Sequence, residues 1–282
     1  MSKKFLGLST SLVVLLTACS SGGGGGSDDN YNATPNEIRE LVRAVNDDFQ
    51  IIWGSYQTTD QPHQTHPVRN GTIRFDTTQP IPLYFVSADG SSAPAAISQA
   101  VHELEARLGD IFTEITPVKA DLSAFKDQSS PGNEEARPSP TWRELDQDSG
   151  QTKGMKFLAD HGLSYGIAIA VNTGYLPAGG DPSNYCANAS IAPYSGALWI
   201  HADPETHLVA NDFVGWVNMG NGVCKWGKEM VKHELAHMLG MYHHHYQNDI
   251  FGLWSDTALD ILATLYANPA GTDFSELVVS QQ

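Results

Sequence analysis

His233-Glu234-Leu235-Ala236-His237-Met238-Leu239-Gly240-Met241-Tyr242-His243 is the stretch whose reading decides both fold and chemistry. On a helix, His233 and His237 stand one turn apart on the same face, so both imidazoles can reach one ion. Glu234 lies about 100° around that helix from His233, close to the ion yet free to act on water bound there. Gly240 suits the end of the helix, where a left-handed residue lets the chain reverse. The reversal would bring His243 to the same ion as a third nitrogen ligand. Three histidines and a water form the open tetrahedral site of catalytic zinc, whereas a structural site uses four protein ligands. In a chain of this composition His-Glu-x-x-His arises by chance on the order of 10⁻² times. Requiring the glycine and the third histidine lowers that to on the order of 10⁻⁴, so the stretch reads as a metal site rather than a helix with surface histidines.

The remaining histidines are read against that site. The 282-residue chain has 11, five of them between His233 and His245. His244 or His245 could replace His243 by local rearrangement, but spacing from Gly240 favours His243. Both otherwise read as a solvated turn or as contacts to the ligands. Tyr246 is a candidate to assist an oxyanion on sequence proximity alone. His201 reads as strand surface, His102 as the polar side of a helix, and His63 and His66 as a solvated loop; His161 and His207 take no role.

Working outward, Ile81–Val86 is a strand candidate, and Pro94–Phe112 a helix with Ile97, Val101, Leu104, Leu108 and Ile111 on one stripe. Ile115–Leu122 reads as a second strand and Asp127–Lys153 as a polar surface excursion. Tyr165–Val171, Ala197–Ala202 and Phe213–Val217 are apolar runs of strand type. Gly220-Asn221-Gly222 then turns the chain into a helix over about Lys225–Leu239, and a last helix spans Asp256–Tyr266. Upstream, Thr34-Pro35 starts a helix over 35–53 that carries Ile38, Leu41, Val42, Val45 and Phe49, either an inhibitory segment or plain packing. Gln57–Asn70 is a polar loop. No internal repeat is present, and the order of elements predicts a twisted sheet backed by two helices.

The amino terminus reads as an address. Lys3 and Lys4 precede an apolar run from Phe5 to Leu16, too short to span a bilayer comfortably. The run ends in Leu16-Thr17-Ala18-Cys19, which resembles the lipobox of bacterial lipoproteins. The resemblance implies cleavage before Cys19, lipidation of that residue and anchoring to the membrane. Ser20 after the cysteine points to the outer rather than the inner membrane in a Gram-negative host. A Gly/Ser-rich tether follows over 19–30, leaving an N-terminal helix and loop region over 31–75 and the main domain over 76–282.

Charge and cysteines narrow the class further. With 16 Lys+Arg against 32 Asp+Glu the net charge is −16, which argues against a nucleic-acid partner. Loss of Lys3 and Lys4 with the signal makes the mature chain more negative still. Three cysteines are too few for a disulfide scaffold. With Cys19 lipidated, Cys186 and Cys224 remain as a pair that could close a disulfide in an oxidising envelope, the alternative being two free buried thiols.

The eleven residues from His233 to His243 resemble the extended zinc motif of the metzincins, a clan of metalloendopeptidases that includes astacins and matrixins. A looser likeness in strand and helix order runs from about Ile81. The resemblance implies an α+β, zincin-like (metzincin) fold: a mostly parallel sheet with an antiparallel edge strand, two long helices and a small C-terminal subdomain. It implies that His233, His237 and His243 bind Zn2+ and that Glu234 is the general base. It also implies that a protein or peptide substrate adds to the edge strand, with Ala197–Ala202 in that place. Metzincins carry a methionine turn after the third ligand, and here no methionine follows Met241; Phe251-Gly252-Leu253 stands as an apolar substitute, and no subfamily is assigned. The expected protein is therefore a monomeric zinc metalloendopeptidase, lipid-anchored in the cell envelope. The alternatives are a non-catalytic zinc-binding surface lipoprotein and a zinc amidase acting on a cell-wall substrate. Calcium has a place only at acidic loops such as Gly179-Gly180-Asp181, which show no definite ligand pattern.

Overall fold

The computed structural model describes residues 33–46, 71–122, 153–171, 187–190, 202–203, 205–220, 225–241 and 255–281. The signal, Cys19 and the tether lie outside them, as do Cys186, Cys224 and the Gly179–Asp181 loop. Among the described residues no helix is long and apolar enough to cross a membrane.

The first helix, α1 (Pro35–Asn46), starts where Thr34-Pro35 signalled. Glu37 accepts from the Thr34 backbone N–H at 2.7 Å, while the Thr34 hydroxyl accepts from the Glu37 N–H at 3.3 Å. This reciprocal capping box, with proline at the first helical position, satisfies amides that the helix itself leaves unpaired. Ile38, Leu41, Val42 and Val45 are buried along one stripe. They join the same core as the sheet, so α1 forms one wall of that core.

Strand β1 (Leu83–Ser87) leads into α2 (Ala95–Leu108) and β2 (Thr116–Lys119). The helix ends four residues earlier than the apolar stripe predicts, because Gly109 takes a positive φ of 84°. Helix α3 (Lys153–Asp160) follows, beginning where the polar excursion ends and in a stretch to which the sequence assigns no element, and then β3 (Gly166–Val171). The series closes with β4 (Ala187–Ser190), β5 (Val214–Met219), α4 (Lys228–Met238), α5 (Asp256–Ala267) and a 3-10 turn at Phe274–Glu276.

The result is an α+β fold built on a five-stranded sheet in the order β2-β1-β3-β5-β4. The pairs β1–β2, β1–β3 and β3–β5 are parallel and β4–β5 is antiparallel, which is the mixed sheet expected. Every residue of β5 is buried, as are all but the last of β3, because both faces of the sheet are covered. Helices α2 and α4 pack against one another, and α4 also packs against β4 and β5. On the other face Phe157 of α3 meets Trp216 of β5 edge-on, with ring centroids 6.2 Å apart.

Among the described residues the antiparallel edge strand is Ala187–Ser190; the stretch Ala197–Ala202, expected in that place, lies outside them except for Ala202, which is bridged to Val209. An edge strand needs only one apolar face. Ala187 and Ala189 supply it with small buried side chains that a search for long apolar runs passes over. The described C-terminal residues, from Ser255 onward, pack on the main core. Helix α5, capped by Ser255 accepting from the Ala258 N–H at 3.2 Å, packs on α1 and α2, and Leu277 is buried in that core.

Candidate metal centre

Helix α4 carries the motif. It lies so close to the sheet that a Cβ on Gly215 of β5 would come within 2.6 Å of the Met238 sulfur. The helix is therefore seated tightly against β5, and its residues from Val231 to Ala236 are all buried. Among them are Lys232, His233 and Glu234, the last only 1% exposed. Burial of such groups is costly unless they are paired or used.

The two histidines meet as their spacing predicts. His233 Nε2 and His237 Nε2 are 3.1 Å apart, with the rings nearly perpendicular at 82°. Two imidazole nitrogens on one tetrahedral zinc at about 2.05 Å stand about 3.3 Å apart, so this pair fits such an ion. His237 Nδ1 donates to the Met241 carbonyl at 2.7 Å. A carbonyl only accepts, so the proton sits on Nδ1 and the Nε2 lone pair is left for a ligand role.

Gly240 ends the helix as its position implied. Its φ is +114°, a region that side chains rarely adopt. The Met241 N–H donates to the Ala236 carbonyl at 3.0 Å and the Gly240 N–H to the His237 carbonyl at 3.3 Å. That pair of bonds is the Schellman pattern, and it turns the chain back immediately after the second histidine.

At the other end of α4 the chemistry is ionic. Lys232 Nζ lies 2.7 Å from Glu103 Oε2 of α2 and 2.8 Å from Glu229 Oε2, and Lys228 also pairs with Glu103. Hydrogen bonds from Lys228 and Lys232 hold the Glu103 carboxyl below the usual carboxylate range. Glu103 in turn raises the ammonium pKa of Lys228.

Of the predicted site residues, then, His233, Glu234 and His237 come together on α4. His243, His244, His245, Tyr246 and Phe251-Gly252-Leu253 lie outside the described residues, as do His63, His66 and His201. Among the described residues no group of three or more His, Cys, Asp or Glu side chains forms a metal cluster. His102 is exposed, as read. His161, given no role, bonds to the Phe157 carbonyl at 2.8 Å, and His207, likewise, has a positive φ of 58°.

Two residues with no assigned role close on the turn after α4. Asn46 Nδ2 donates to the Gly240 carbonyl at 2.7 Å, and the Tyr266 hydroxyl donates to the Leu239 carbonyl at 3.1 Å. Asn46 had one legible signal, a polar residue four positions after Val42 on the apolar stripe of α1. Tyr266 had none. In comparisons with known proteins, the chain matches no protein-family model, no curated protein and no solved structure.

Proposed function

We propose that the protein is a zinc-dependent metalloendopeptidase of metzincin-like fold, held in the bacterial cell envelope by lipid on Cys19. The observation that carries this reading is the pair of Nε2 atoms 3.1 Å apart on α4, next to the buried carboxylate of Glu234. His233 and His237 would hold the ion, with His243 as the third ligand implied by the motif. When bound, zinc supplies a water of lowered pKa and polarises the scissile carbonyl.

Glu234 takes the proton from the attacking water and returns it to the leaving amine. A carboxylate in that position has no purpose in a site that only stores metal, which favours hydrolysis over simple zinc binding. The short antiparallel strand β4 lies at the end of the sheet and packs against α4. An extended peptide pairing with that edge would lie on the strand next to the helix that carries the two histidines, which favours a peptide over a compact cell-wall amide.

The test is zinc content and cleavage of unfolded casein by the chain from Asn30 onward, with and without chelator. Equimolar zinc and chelator-sensitive cleavage are expected. Zinc without cleavage would replace the peptidase by a binding lipoprotein or by an amidase, which cell-wall fragments as substrate would tell apart.

A further inference from the structure

Three consecutive backbone carbonyls follow the second histidine, and a different side chain holds each. Tyr266 of α5 donates to Leu239 at 3.1 Å, Asn46 of α1 to Gly240 at 2.7 Å, and His237 itself to Met241 at 2.7 Å. Carbonyls at a helix C-terminus have no partner within the helix, and a final turn left to solvent frays. Here the turn is fixed from two helices remote in sequence.

The order of bonds gives them a consequence beyond packing. His237 is oriented by the Met241 carbonyl, which belongs to the same short turn and is only as well placed as that turn. The peptide before it ends on the Gly240 carbonyl, fixed by Asn46. Asn46 is itself fully buried and committed twice more, accepting from the Ile73 N–H at 2.9 Å and donating to the Ile73 carbonyl at 2.9 Å. All three bonds of the amide run to backbone, so it has no rotational freedom to lose its grip. Tyr266 is braced as well, with the Arg74 guanidinium 5.4 Å over its ring while Arg74 Nε donates to the Asn268 carbonyl.

We infer that Asn46 and Tyr266 are positioning residues for the metal centre, which hold the turn Leu239–Met241 so that its last carbonyl fixes the orientation of the His237 ring. The inference rests on the zinc reading and adds to it that a metal-binding geometry on α4 is maintained by α1 and α5. It also assigns α1 a role, as a permanent support of the site rather than an inhibitory segment to be removed.

The experiment compares wild type, Asn46→Ala, Tyr266→Phe and Leu158→Ala, the last a buried residue of α3 on the opposite face of the sheet. Zinc affinity is measured by chelator competition on folded protein, and solvent exchange of the His237 Nδ1 proton is followed by NMR in metal-free protein. Groups that orient a metal ligand typically change affinity by about 10–100-fold when lost, so Asn46→Ala should raise the zinc Kd by that much. Tyr266→Phe, which removes one hydroxyl, should raise it by about 10-fold or less. Both should speed exchange of the Nδ1 proton, and Leu158→Ala should lower Tm without changing either quantity. If Asn46→Ala does not fold, Tyr266→Phe decides. Wild-type Kd and exchange rate in the folded variants would overturn the inference. Absence of zinc binding by wild type would instead overturn the metal reading, and unchanged proton exchange would then dispose of the positioning role separately.

Discussion

Helices α2 and α4 pack side by side, and they are buried in opposite styles. In α2 the buried residues are Ile97, Ala100, Val101 and Leu104, a single apolar stripe with polar residues on the remaining face. In α4 six consecutive residues from Val231 to Ala236 are buried, half of them Lys232, His233 and Glu234. A helix whose task is to fill a core has no reason to enclose an ammonium, an imidazole and a carboxylate, since each costs stability in the interior. The difference matches a scaffold and a candidate site: α2 fills the core, and α4 brings ionisable groups into it. Glu103 links the two, because α2 supplies the carboxylate that neutralises Lys228 and Lys232.

That division is open to attack from either side. Leu104→Ala empties a fully buried position of α2 and should destabilise the protein by about 2–5 kcal/mol in denaturant unfolding, with the zinc Kd of the folded protein unchanged. A large change in Kd would show that the scaffold and site are not separable. Gly240→Ala makes the opposite perturbation. The new Cβ would lie 2.9 Å from the Ile73 carbonyl oxygen on a backbone with φ +114°, which should cost at least about 1–3 kcal/mol. Because the turn also holds His237, zinc affinity should fall with stability here, and an unaffected Kd would mean that the turn does not matter to the ion.

The smallest expected effect concerns the charges between the helices. Glu103 has its pKa lowered by Lys228 and Lys232, so its stabilising contribution is present above the ordinary glutamate value of about 4.3 and is lost as pH falls through the lowered value. Glu103→Gln should therefore be less stable than wild type near neutrality. The gap should narrow as unfolding is measured at pH below about 4. Glu103 is over a third exposed, so the gap should be modest and should shrink in high salt. A gap that widens on acidification would mean that Glu103 is not held ionised by these lysines.

How much of this was legible in the sequence follows from the physics of each part. The stripe of α2, the apolar runs of β3 and β5, and the start signal Thr34-Pro35 are local patterns, and each marks its element, with ends shifted by up to four residues. Helix α3 was missed because its eight residues follow a long polar segment, too short a run for an apolar period to stand out. The strand Ala187–Ser190 was not legible because Ala187 and Ala189 bury little surface and form no apolar run. At the site, His233, Glu234, His237 and Gly240 were readable from spacing alone, since one helix and its cap fix their relations. Asn46 and Tyr266 reach the same turn across separations of 194 and 27 residues, and no local pattern in the chain encodes such a meeting.

The central claim is that α4 presents zinc and a general base to a peptide. The most direct test is the chain from Asn30 onward with Glu234→Ala, assayed for bound zinc and for cleavage of unfolded casein beside wild type. Both proteins should hold equimolar zinc, and the variant should cleave slower by about 10²–10⁴-fold. Equal cleavage by the variant, or wild type without zinc, would contradict the account.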